Sequence, residues 1–432
     1  MLVRDPVHGD IYLTERQRKI LDTADIQRLR GIKQLGMGYM VYPGAVHTRF
    51  EHSLGTAHMT WRILSSVRHR RPELVSDEDM ERAGVVALVH DITHIPYGHT
   101  FEDEMRIFDR HDRRDRYERF FSESDTGSVL DSMGLYELVM DSLTSKNELA
   151  LEDPWIPQVV TKTVCADLLD YIRRDSYFTG LNKDYDDRLF HFMDLYRDDE
   201  GRKRFLMDIS KRNILRQDVL SEILHLLKIR YFLTERVYYH HTKVSAGAMI
   251  SKALTIARND YGLRKEDLFH MTDAQMVSHI RALDTEGRIK AILDSLDRRE
   301  LLKRAYVLTP HSIEVGSSEW FWLISEYHYP TGAREKAERE IAEEAGTDPD
   351  SVCVYCMGPT HFKEAKVDVL LPEGVRSLDE VEDVPELDEM KRLYEHLWRF
   401  YVFAPSDRVE AVAEAAESVI GLKNQYRPHS SK

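Results

Sequence analysis

Four histidines and an aspartate lie close together in the first quarter of the chain, and their residue types suit a divalent metal ion. His52, the pair His90-Asp91, His94 and His99 fall within about fifty residues. Imidazole nitrogens and carboxylate oxygens together bind borderline or hard divalent cations, and no thiolate takes part. A bound divalent ion polarises a phosphoryl oxygen and lowers the pKa of water, so the pattern predicts metal-dependent hydrolysis of a phosphate ester.

Two predicted helices would position these side chains. The apolar segment AGVVALVHDITH predicts a buried helix that carries His90 and His94 on one face, beside Asp91. His52 follows an Arg-Phe-Glu step that opens another predicted helix. A buried histidine is often a packed residue bonded to a carbonyl, but an aspartate beside it in an apolar helix is costly unless it is paired or bound to a cation. His52, His90 and Asp91 are therefore predicted metal ligands.

The fourth ligand is expected on a later predicted helix, VCADLLDYIRRDSYFTG, which ends at a glycine. Asp167 is the best candidate because it leads the acidic cluster from among apolar neighbours. Asp170 is predicted to be structural, in a salt bridge to Arg173 or Arg174 along a solvated helix face. The role of Asp175 stays open at this point.

Composition predicts a cytoplasmic enzyme without membrane association. The 432 residues carry a net charge of -15, are 42% hydrophobic and 31% charged, and allow two or three domains. The N-terminus does not read as a signal peptide, and no apolar run reaches the roughly 18 residues of a membrane span. Cys353 and Cys356 form a CxxC without a second pair, so a structural role is favoured over a zinc site. The acidic balance argues against broad nucleic-acid binding, although the basic run Arg68 to Arg71 leaves a local site open.

Periodicity predicts a mainly α fold, with a helical catalytic domain over residues 1–305 and a smaller α+β lobe over residues 306–432. Stretches with a period of about 3.6, such as DVLSEILHLLKIRYFLTERVYY, fill the first part. After Arg304, the β-rich runs RAYVLTP, SVCVYC, KVDVLLP and HLWRFYVFAP alternate with helix-like stretches at 333–345 and 408–420. The acidic stretch 377–389 is predicted to be a surface loop, and residues 424–432 to fray. The lobe's role stays open among capping the site, oligomerisation and effector binding.

Five segments, in order, resemble the HD-domain phosphohydrolase superfamily, and within it the deoxynucleoside triphosphate triphosphohydrolases of animals and prokaryotes. They are DPVHGDIYL from Asp5, ILDTADIQRLRGIKQLGMGY from Ile20, and the segments around His52, His90 and Asp167. That superfamily's metal set is a His, an adjacent His-Asp pair and a distant Asp, which here are His52, His90, Asp91 and Asp167. The resemblance implies a helical HD core and one divalent transition metal, such as iron, manganese, nickel, cobalt or zinc, with magnesium possible beside a bound nucleotide. It also implies a homo-oligomer, either a dimer or a tetramer.

The resemblance further implies the catalytic residues. In that family the positions matching Arg49, His94 and His99 hold the α-phosphate of the nucleotide. The position matching His111 works with His94 around the attacked phosphorus. The segment DRHDRRDRY offers a second interpretation for His111, as a solvated residue of a mixed-charge helix.

A deoxynucleotide is the implied substrate. Arg230 matches a residue that grips the terminal phosphates, and Tyr238 matches a tyrosine beneath the deoxyribose. Gln34 and Leu35 match the pair that reads the 3′-hydroxyl and crowds the 2′ position, since a packed wall excludes an added oxygen. Asp175 matches a further 3′-hydroxyl contact, and Tyr171 belongs to the same set of substrate contacts.

Two positions bear on substrate and regulation. Leu168 stands where the animal enzyme has a phosphate-binding lysine directly after its last metal aspartate, which weakens the case for triphosphates more than the case for phosphoester hydrolysis. Asp22 and Arg30 match residues that bind a guanine nucleotide activator, so a nucleotide effector is a hypothesis. Arg30 has an alternative partner in Asp25 or Asp22 on its own helix.

Three hypotheses follow. The first is a metal-dependent deoxynucleoside triphosphate triphosphohydrolase that releases a deoxynucleoside and tripolyphosphate by water attack at the α-phosphorus. The second is an HD phosphohydrolase that acts on another nucleotide or phosphoester with stepwise phosphate release. The third is a non-catalytic nucleotide sensor or nucleic-acid-binding protein, against which the complete set of predicted metal ligands argues.

Overall fold

Amphipathic helices build the first 300 residues by packing their apolar faces on one another. The computed structural model describes residues 1–212, 214–359, 366–372, 374–381 and 384–426. The elements before residue 300 are β1 (Leu2–Asp5), β2 (Gly9–Tyr12), α1 (Glu15–Leu21), α2 (Ala24–Arg28), α3 (Arg49–Arg70), α4 (Asp77–Val89), α5 (Arg114–Ser122), α6 (Asp125–Ser132), α7 (Tyr136–Thr144), α8 (Trp155–Val160), α9 (Ala166–Thr179), β3 (Met193–Arg197), β4 (Lys203–Asp208), β5 (Ser210–Lys211), β6 (Ile214–Leu215), α10 (Gln217–Leu233), α11 (His241–Tyr261), α12 (Asp273–Leu283) and α13 (Arg288–Asp297).

A smaller α+β part follows. Its elements are β7 (Lys303–Leu308), α14 (Ser318–Leu323), α15 (Ala333–Glu344), β8 (Cys353–Cys356), β9 (Asp368–Leu371), β10 (Gly374–Ser377), α16 (Pro385–Glu395), β11 (Phe400–Ala404) and α17 (Val409–Ile420). The predicted fold class, mainly helical with a smaller α+β region at the C-terminal end, is confirmed.

Helix α3 is the centre of the N-terminal part, because α4 and α9 both pack along it. It begins at Arg49, where the backbone N–H of Thr48 donates to Glu51 Oε2 at 2.6 Å. Helix α9 ends at Thr179, and the next residue, Gly180, adopts the left-handed conformation (φ 71°) that closes a helix. The three helices bring segments from residues 49, 90 and 167 to one place.

The C-terminal part contributes strands to two sheets, and one of these sheets also contains strands of the helical part. In one sheet, β11 lies between β7 and β8 and runs antiparallel to both. In the other, the strand order is β10-β9-β4-β3, and β9 runs parallel to β4 with Val369 opposite Met207. Strands from both sides of residue 305 therefore share one sheet. The division into 1–305 and 306–432 stays a prediction, and the backbone hydrogen bonds are continuous across it.

One local prediction in the C-terminal part is wrong, and a second is wrong for the part of its range that the structure describes. The acidic stretch 377–389 is predicted to be a surface loop, but helix α16 occupies its second half. Leu378, near the start of the stretch, is fully buried. Residues 382–383 lie outside the described residues. Asn424 is held rather than frayed, because its side chain accepts from Val307 N–H and donates to the Ala305 carbonyl, both at 3.0 Å. Residues 427–432 lie outside the described residues.

Cys353 and Cys356 both lie on β8 and are buried as free thiols. Burial raises the pKa of each thiol, so neither is poised as a thiolate ligand. None of the helices in the described part of the chain combines the length and apolar character needed to cross a bilayer.

Candidate active site

The four predicted metal ligands converge on one point. His52 Nε2 and His90 Nε2 lie 3.2 Å apart, and Asp167 Oδ1 lies 2.9 Å from His52 Nε2 and 3.8 Å from His90 Nε2. The ligand atoms of His52, His90 and Asp91 all lie within 4.8 Å of one another. His52, His90 and Asp91 are buried, whereas the Asp167 side chain is 30% exposed and faces a cleft.

Both histidines in this centre have one ring nitrogen fixed by a partner outside it. His52 Nδ1 lies 2.7 Å from Asp170 Oδ2, and His90 Nδ1 lies 2.8 Å from the carbonyl of Ala87. A proton on each Nδ1 satisfies these acceptors, so both Nε2 atoms are left to face each other and a shared cation. Histidines that bind metals are oriented by hydrogen bonds of this kind.

The donor set therefore fits a divalent cation. Burial lowers the pKa of His52, but hydrogen bonds to Asp167 and Asp170 outweigh it and raise the pKa to about 10. The two carboxylates accordingly stabilise a positive charge at this position, as they would with an ion. A His₂Asp₂ set suits transition ions such as manganese, iron, cobalt, nickel or zinc.

Asp170 belongs to a buried network that reaches the N-terminal hairpin. Its Oδ1 atom accepts from Arg174 Nη2 at 2.9 Å and lies 2.6 Å from His8 Nε2. Asp5 completes the network, accepting from Arg174 Nη1 at 2.9 Å and from the backbone N–H of His8 at 2.8 Å. The turn between β1 and β2 is thus tied to the side chain that orients His52.

A glycine on α3 makes room for this network. A Cβ atom at Gly55 would lie 1.8 Å from Asp170 Oδ1 and 2.4 Å from Arg174 Nη2. These distances are far below van der Waals contact, and both neighbours are fully buried. Only glycine at this position lets α3 approach α9 closely enough for Asp170 to reach His52.

His94 and Arg49 lie beside the metal ligands. Arg49 is buried and donates to Asp91 Oδ2 at 2.5 Å. His94 Nε2 lies 3.3 Å from Asp91 Oδ1 outside hydrogen-bond geometry, and neither ring nitrogen of His94 has a hydrogen-bond partner among the described residues. Burial, followed by the charges of Arg49 and His111, lowers the pKa of His94 well below its usual range. Both nitrogens of His94 thus lie near carboxylates, Nε2 beside Asp91 and Nδ1 3.7 Å from Glu102 Oε2, without a hydrogen bond to either.

His94, His99 and His111, here called the phosphate-side histidines, form a second group whose ring nitrogens lie within 4.8 Å of one another. The ring of His111 lies on that of His94, with centroids 3.6 Å apart. His111 Nδ1 lies 3.2 Å from Glu102 Oε2, and His99 Nδ1 lies 2.7 Å from Asp103 Oδ2. Each of these two histidines therefore has one ring nitrogen beside a carboxylate, and both side chains line the same cleft.

A cleft of about 630 Å³ opens beside these residues. All of the predicted substrate contacts line it, namely Gln34, Leu35, Arg49, His99, Tyr171, Asp175, Arg230 and Tyr238. His111 lines it as well, whereas His94 lies fully buried behind the surface. Arg230 Nε donates to the hydroxyl of Tyr171 at 2.7 Å, which fixes that guanidinium at the wall.

The cleft is also lined by polar side chains that are not predicted metal ligands, among them Gln34, Asp175 and Tyr238. Asp175 accepts from the Tyr238 hydroxyl through Oδ2 and lies against His47 Nε2 through Oδ1, each at 2.7 Å. Gln34 Oε1 is buried and has no hydrogen-bond partner among the described residues. Leu35, 7% exposed, forms the apolar wall next to it.

Backbone hydrogen bonds hold the segment of Gln34 beside the start of α3. The N–H of Gln34 donates to the His47 carbonyl at 3.0 Å, and the N–H of Arg49 donates to the Ile32 carbonyl at 2.9 Å. This short antiparallel pairing sets the predicted sugar-reading residues against the first turn of α3. It is a long-range arrangement that no local pattern indicates.

One prediction about local structure is wrong, one of the two interpretations of His111 does not hold, and the predicted salt bridge of Asp170 is present but buried. The helix predicted to carry both His90 and His94 ends at Val89, and His94 lies in the following loop. His111 lies in a turn before α5, with its side chain 12% exposed, rather than on a solvated helix. Asp170 does pair with Arg174, but the pair is buried, and the same carboxylate orients His52.

The early end of α4 has a physical cause. Side chains from other helices donate to the carbonyls that a longer helix would use: Tyr117 to His90, Arg28 to Ile92 and His94, and Arg116 to Thr93. Carbonyls at a helix C-terminus need such partners. The loop that follows can therefore turn His94 toward Asp91 without leaving buried carbonyls unpaired.

Asp22 and Arg30 lie outside the cleft and are exposed. Arg30 pairs with neither of its predicted alternatives: its Nε donates to Gln27 Oε1 at 2.8 Å, and its guanidinium covers the ring of Phe50 at 3.5 Å. The effector hypothesis for these two residues stays a prediction.

Four supporting residues are not among those predicted from the sequence: His8, Gly55, Glu102 and His47. Gly55 gave a usable signal, since an isolated glycine inside a helical pattern often marks close packing. The DPVHG segment is predicted from the resemblance alone, because its His8 contacts Asp170 on α9, which is 162 residues away in the chain.

Comparison with known families gives two matches. The HD domain model matches residues 49–130, and the model of the HD associated region matches residues 206–431. The first match begins at the first residue of α3 and includes His52, His90 and Asp91, whereas Asp167 lies between the two matched regions. HD domains bind divalent metal ions, so the family and the donor geometry agree.

Relatives in three groups of organisms share long stretches of the sequence. An uncharacterized protein of Methanocaldococcus jannaschii is 30% identical over 424 residues, which cover 96% of this chain and 81% of that protein. An uncharacterized protein of Bacillus subtilis is 25% identical, covering 80% of this chain and 77% of that protein. The deoxynucleoside triphosphate triphosphohydrolase SAMHD1 of Homo sapiens is 27% identical over 302 residues, 63% of this chain and 46% of that enzyme. The chain therefore matches about half of the human enzyme's length.

Proposed function

The chain belongs to the family of HD-domain proteins with an HD-associated region, and on that premise we propose that it is a metal-dependent deoxynucleoside triphosphate triphosphohydrolase. The reaction is hydrolysis of the bond between the 5′ oxygen and the α-phosphorus. Water supplies its oxygen to the phosphorus, and the products are a deoxynucleoside and tripolyphosphate. SAMHD1, which bears the name of this activity, supports the proposal as a distant relative.

One observation carries the proposal: a single cleft joins the His-Asp centre to a set of acceptors suited to a sugar hydroxyl. Gln34 Oε1 is a buried acceptor without a partner among the described residues, and Asp175 lines the same cleft. An unpaired buried acceptor costs free energy that a hydroxyl donor from a substrate would recover. The 3′-hydroxyl of a deoxynucleotide is such a donor.

The metal ion and three side chains, those of Arg49, His94 and His111, have separate roles in the proposed reaction. When bound, the divalent ion polarises the phosphoryl group and makes water a better nucleophile. Arg49 holds Asp91 and presents positive charge toward the phosphorus, which stabilises developing negative charge. His94, buried behind the cleft and 3.3 Å from Asp91, exchanges a proton beside the metal ligands, and His111, whose Nδ1 lies beside Glu102, contacts the phosphate from the cleft wall.

Leu35 provides the discrimination against ribonucleotides. It is almost fully buried beside Gln34, so a 2′ oxygen would have to displace packed atoms. A matched wall of this kind rejects an added hydroxyl by sterics, while Gln34 selects for the 3′-hydroxyl through hydrogen bonding.

A second candidate, hydrolysis of another nucleotide or phosphoester, has specific support. Leu168 is buried in the cleft wall where an extra cation would serve a triphosphate. Two other cleft cations, Arg110 and Lys243, are engaged by Asp103 and Glu104. A bound triphosphate would have to compete with these two carboxylates for the positive charges of Arg110 and Lys243.

Product analysis tests the proposal. Protein loaded with manganese, cobalt or magnesium is incubated with each of the four deoxynucleoside triphosphates and with ATP, and nucleoside, mono- and diphosphates are separated. Deoxynucleoside with intact tripolyphosphate, from deoxynucleotides only, supports the first candidate. Stepwise release of orthophosphate supports the second, and no turnover of any nucleotide contradicts the first. An Asp167→Ala variant prepared in parallel controls for contaminating phosphatases.

A further inference from the structure

Asp273, the first residue of α12, connects two segments of the cleft from behind. Its carboxylate accepts the backbone N–H of Lys33 at 3.0 Å through Oδ2 and that of Tyr97 at 3.1 Å through Oδ1. These partners lie 240 and 176 residues away in the chain. Asp273 is 2% exposed and is not among the described residues that line the cleft. It therefore acts on any substrate only through the segments it holds.

Both segments carry proposed substrate contacts. Lys33 directly precedes Gln34 and Leu35, which face the sugar. Tyr97 lies between His94 and His99, two of the phosphate-side histidines. One carboxylate thus fixes the distance between the sugar end and the phosphate end of the cleft.

The backbone at Tyr97 needs such a support. Tyr97 has φ of 55°, in the left-handed region that residues other than glycine rarely occupy. A bulky residue in this conformation persists only where the surroundings hold it. The hydrogen bond from its N–H to Asp273 is a direct restraint on this turn, which determines where His99 enters the cleft.

Arg28 adds a second connection to the loop that contains Tyr97. It is buried and donates to the carbonyls of Ile92 at 2.6 Å, His94 at 3.0 Å and Met271 at 3.1 Å. Arg28 therefore links the loop after α4 to the residues directly before Asp273. The Met271–Asp273 segment, which belongs to the HD-associated region, is tied to the active-site loops through both charged side chains.

We propose that Asp273 is a positioning residue that sets the discrimination between deoxyribonucleotides and ribonucleotides. By holding Lys33 and Tyr97 together, it keeps Leu35 against the 2′ position while His99 reaches the phosphate. The inference rests on the proposed function for its substrate, but its structural part, the restraint on two loops, can be measured without turnover. It also gives part of the HD-associated region a role in the active site.

Two variants and a matched control test the proposal. Asp273→Asn keeps the shape of the side chain but offers one acceptor oxygen, so one of the two backbone N–H groups loses its partner. Asp273→Ala removes both acceptors. Glu338→Gln is the control, because Glu338 is also a buried carboxylate of the HD-associated region that accepts a backbone N–H, from Val354 at 2.8 Å, and it lies away from the cleft.

The first readout is amide hydrogen exchange, followed by mass spectrometry of peptides covering residues 32–37 and 95–101. We expect Asp273→Asn to speed exchange in one or both of these peptides at least tenfold, with Glu338→Gln leaving them unchanged. Unchanged exchange in both peptides of a folded Asp273→Asn protein would overturn the proposal. This readout does not depend on which phosphoester the protein hydrolyses.

The second readout is the ratio of kcat/KM for a deoxynucleoside triphosphate to that for its ribonucleotide. We expect this ratio to fall about tenfold to a hundredfold in Asp273→Asn, because small displacements of positioning groups have effects of that size. A variant that only loses stability, as we expect of Glu338→Gln, would lower the melting temperature and leave the ratio unchanged; that result for Asp273→Asn would overturn the proposal. Wild-type protein without any nucleotide hydrolysis would refute the proposed function, while the exchange measurement would still decide the role of Asp273. If Asp273→Ala fails to fold, Asp273→Asn alone supplies both readouts.

Discussion

Asp170 and His52, 118 residues apart, are joined by a 2.7 Å contact between Asp170 Oδ2 and His52 Nδ1. The contact fixes which nitrogen of His52 faces the candidate metal centre. Asp170 is held in turn by Arg174 and His8, and all of these side chains are buried. The metal centre therefore depends on a carboxylate that is not itself a predicted ligand.

Replacing Asp170 by asparagine should weaken metal binding. The amide lacks the negative charge that stabilises the His52 ring, and loss of such outer partners typically reduces metal affinity by about 10-fold to 100-fold. Competition with a chromophoric chelator measures the affinity. The control is Asp184→Asn, which changes an exposed carboxylate paired with Arg173 on the outer side of α9. Equal affinities in wild type and Asp170→Asn would contradict the assigned role.

A methyl group at Gly55 should have a similar effect through sterics. Gly55→Ala places a Cβ where Asp170 and Arg174 lie, so the network must shift and the free energy of unfolding should fall by about 1–3 kcal/mol. Metal affinity should fall with it. Gly84→Ala is the comparison, because its Cβ would meet the side-chain end of Gln17 instead. Thermal unfolding with and without metal measures both effects, and unaltered metal affinity in Gly55→Ala would refute the steric argument.

Alanine at a ligand position and alanine at His94 should behave differently. Asp91→Ala or Asp167→Ala should lower metal content and activity together. His94→Ala should keep the metal and lose turnover by a factor of about 10² to 10⁴, because it removes a proton-transfer group and no ligand. Metal analysis beside kinetics separates the cases: metal loss in His94→Ala would make His94 a ligand, and activity with an empty site would refute the ligand set.

Metal binding should release protons. The pKa of His52 without metal is raised to about 10, so its ring carries protons on both nitrogens at neutral pH. A cation must displace the proton on Nε2 in order to bind there. Apparent affinity should therefore rise with pH below about pH 10, by up to about tenfold per unit for one displaced proton. Calorimetry in buffers of different ionisation enthalpy counts the protons released. A count of zero at neutral pH would contradict this account of His52.

Much of the candidate site was predictable from residue types and spacing. His52, His90 and Asp91 stand out because a buried His-Asp pair needs a counter-charge, and Asp167 follows from its place at the head of an acidic helix. The helical character of α3, α9 and α10 follows from apolar periodicity, which depends on neighbours three and four residues apart. The resemblance supplied the substrate contacts, all of which line the cleft.

The rest depends on contacts between distant segments. Helix α4 ends at Val89 because Arg28, Arg116 and Tyr117 donate hydrogen bonds to the carbonyls that follow. The periodicity of one segment contains no information about these distant donors. The burial of the Asp170–Arg174 pair follows from the packing of α3 on α9, made possible by Gly55. The role of Asp273 arises from two hydrogen bonds that span more than a third of the chain.

The most direct test of the central claim is hydrolysis of a deoxynucleoside triphosphate in ¹⁸O-labelled water by the metal-loaded protein. Attack at the α-phosphorus with loss of the 5′ oxygen predicts that mass spectrometry finds one ¹⁸O atom in intact tripolyphosphate and none in the deoxynucleoside. Label in orthophosphate or pyrophosphate, with a deoxynucleoside di- or monophosphate as the partner product, would contradict the proposed triphosphohydrolase and indicate cleavage at a different phosphorus.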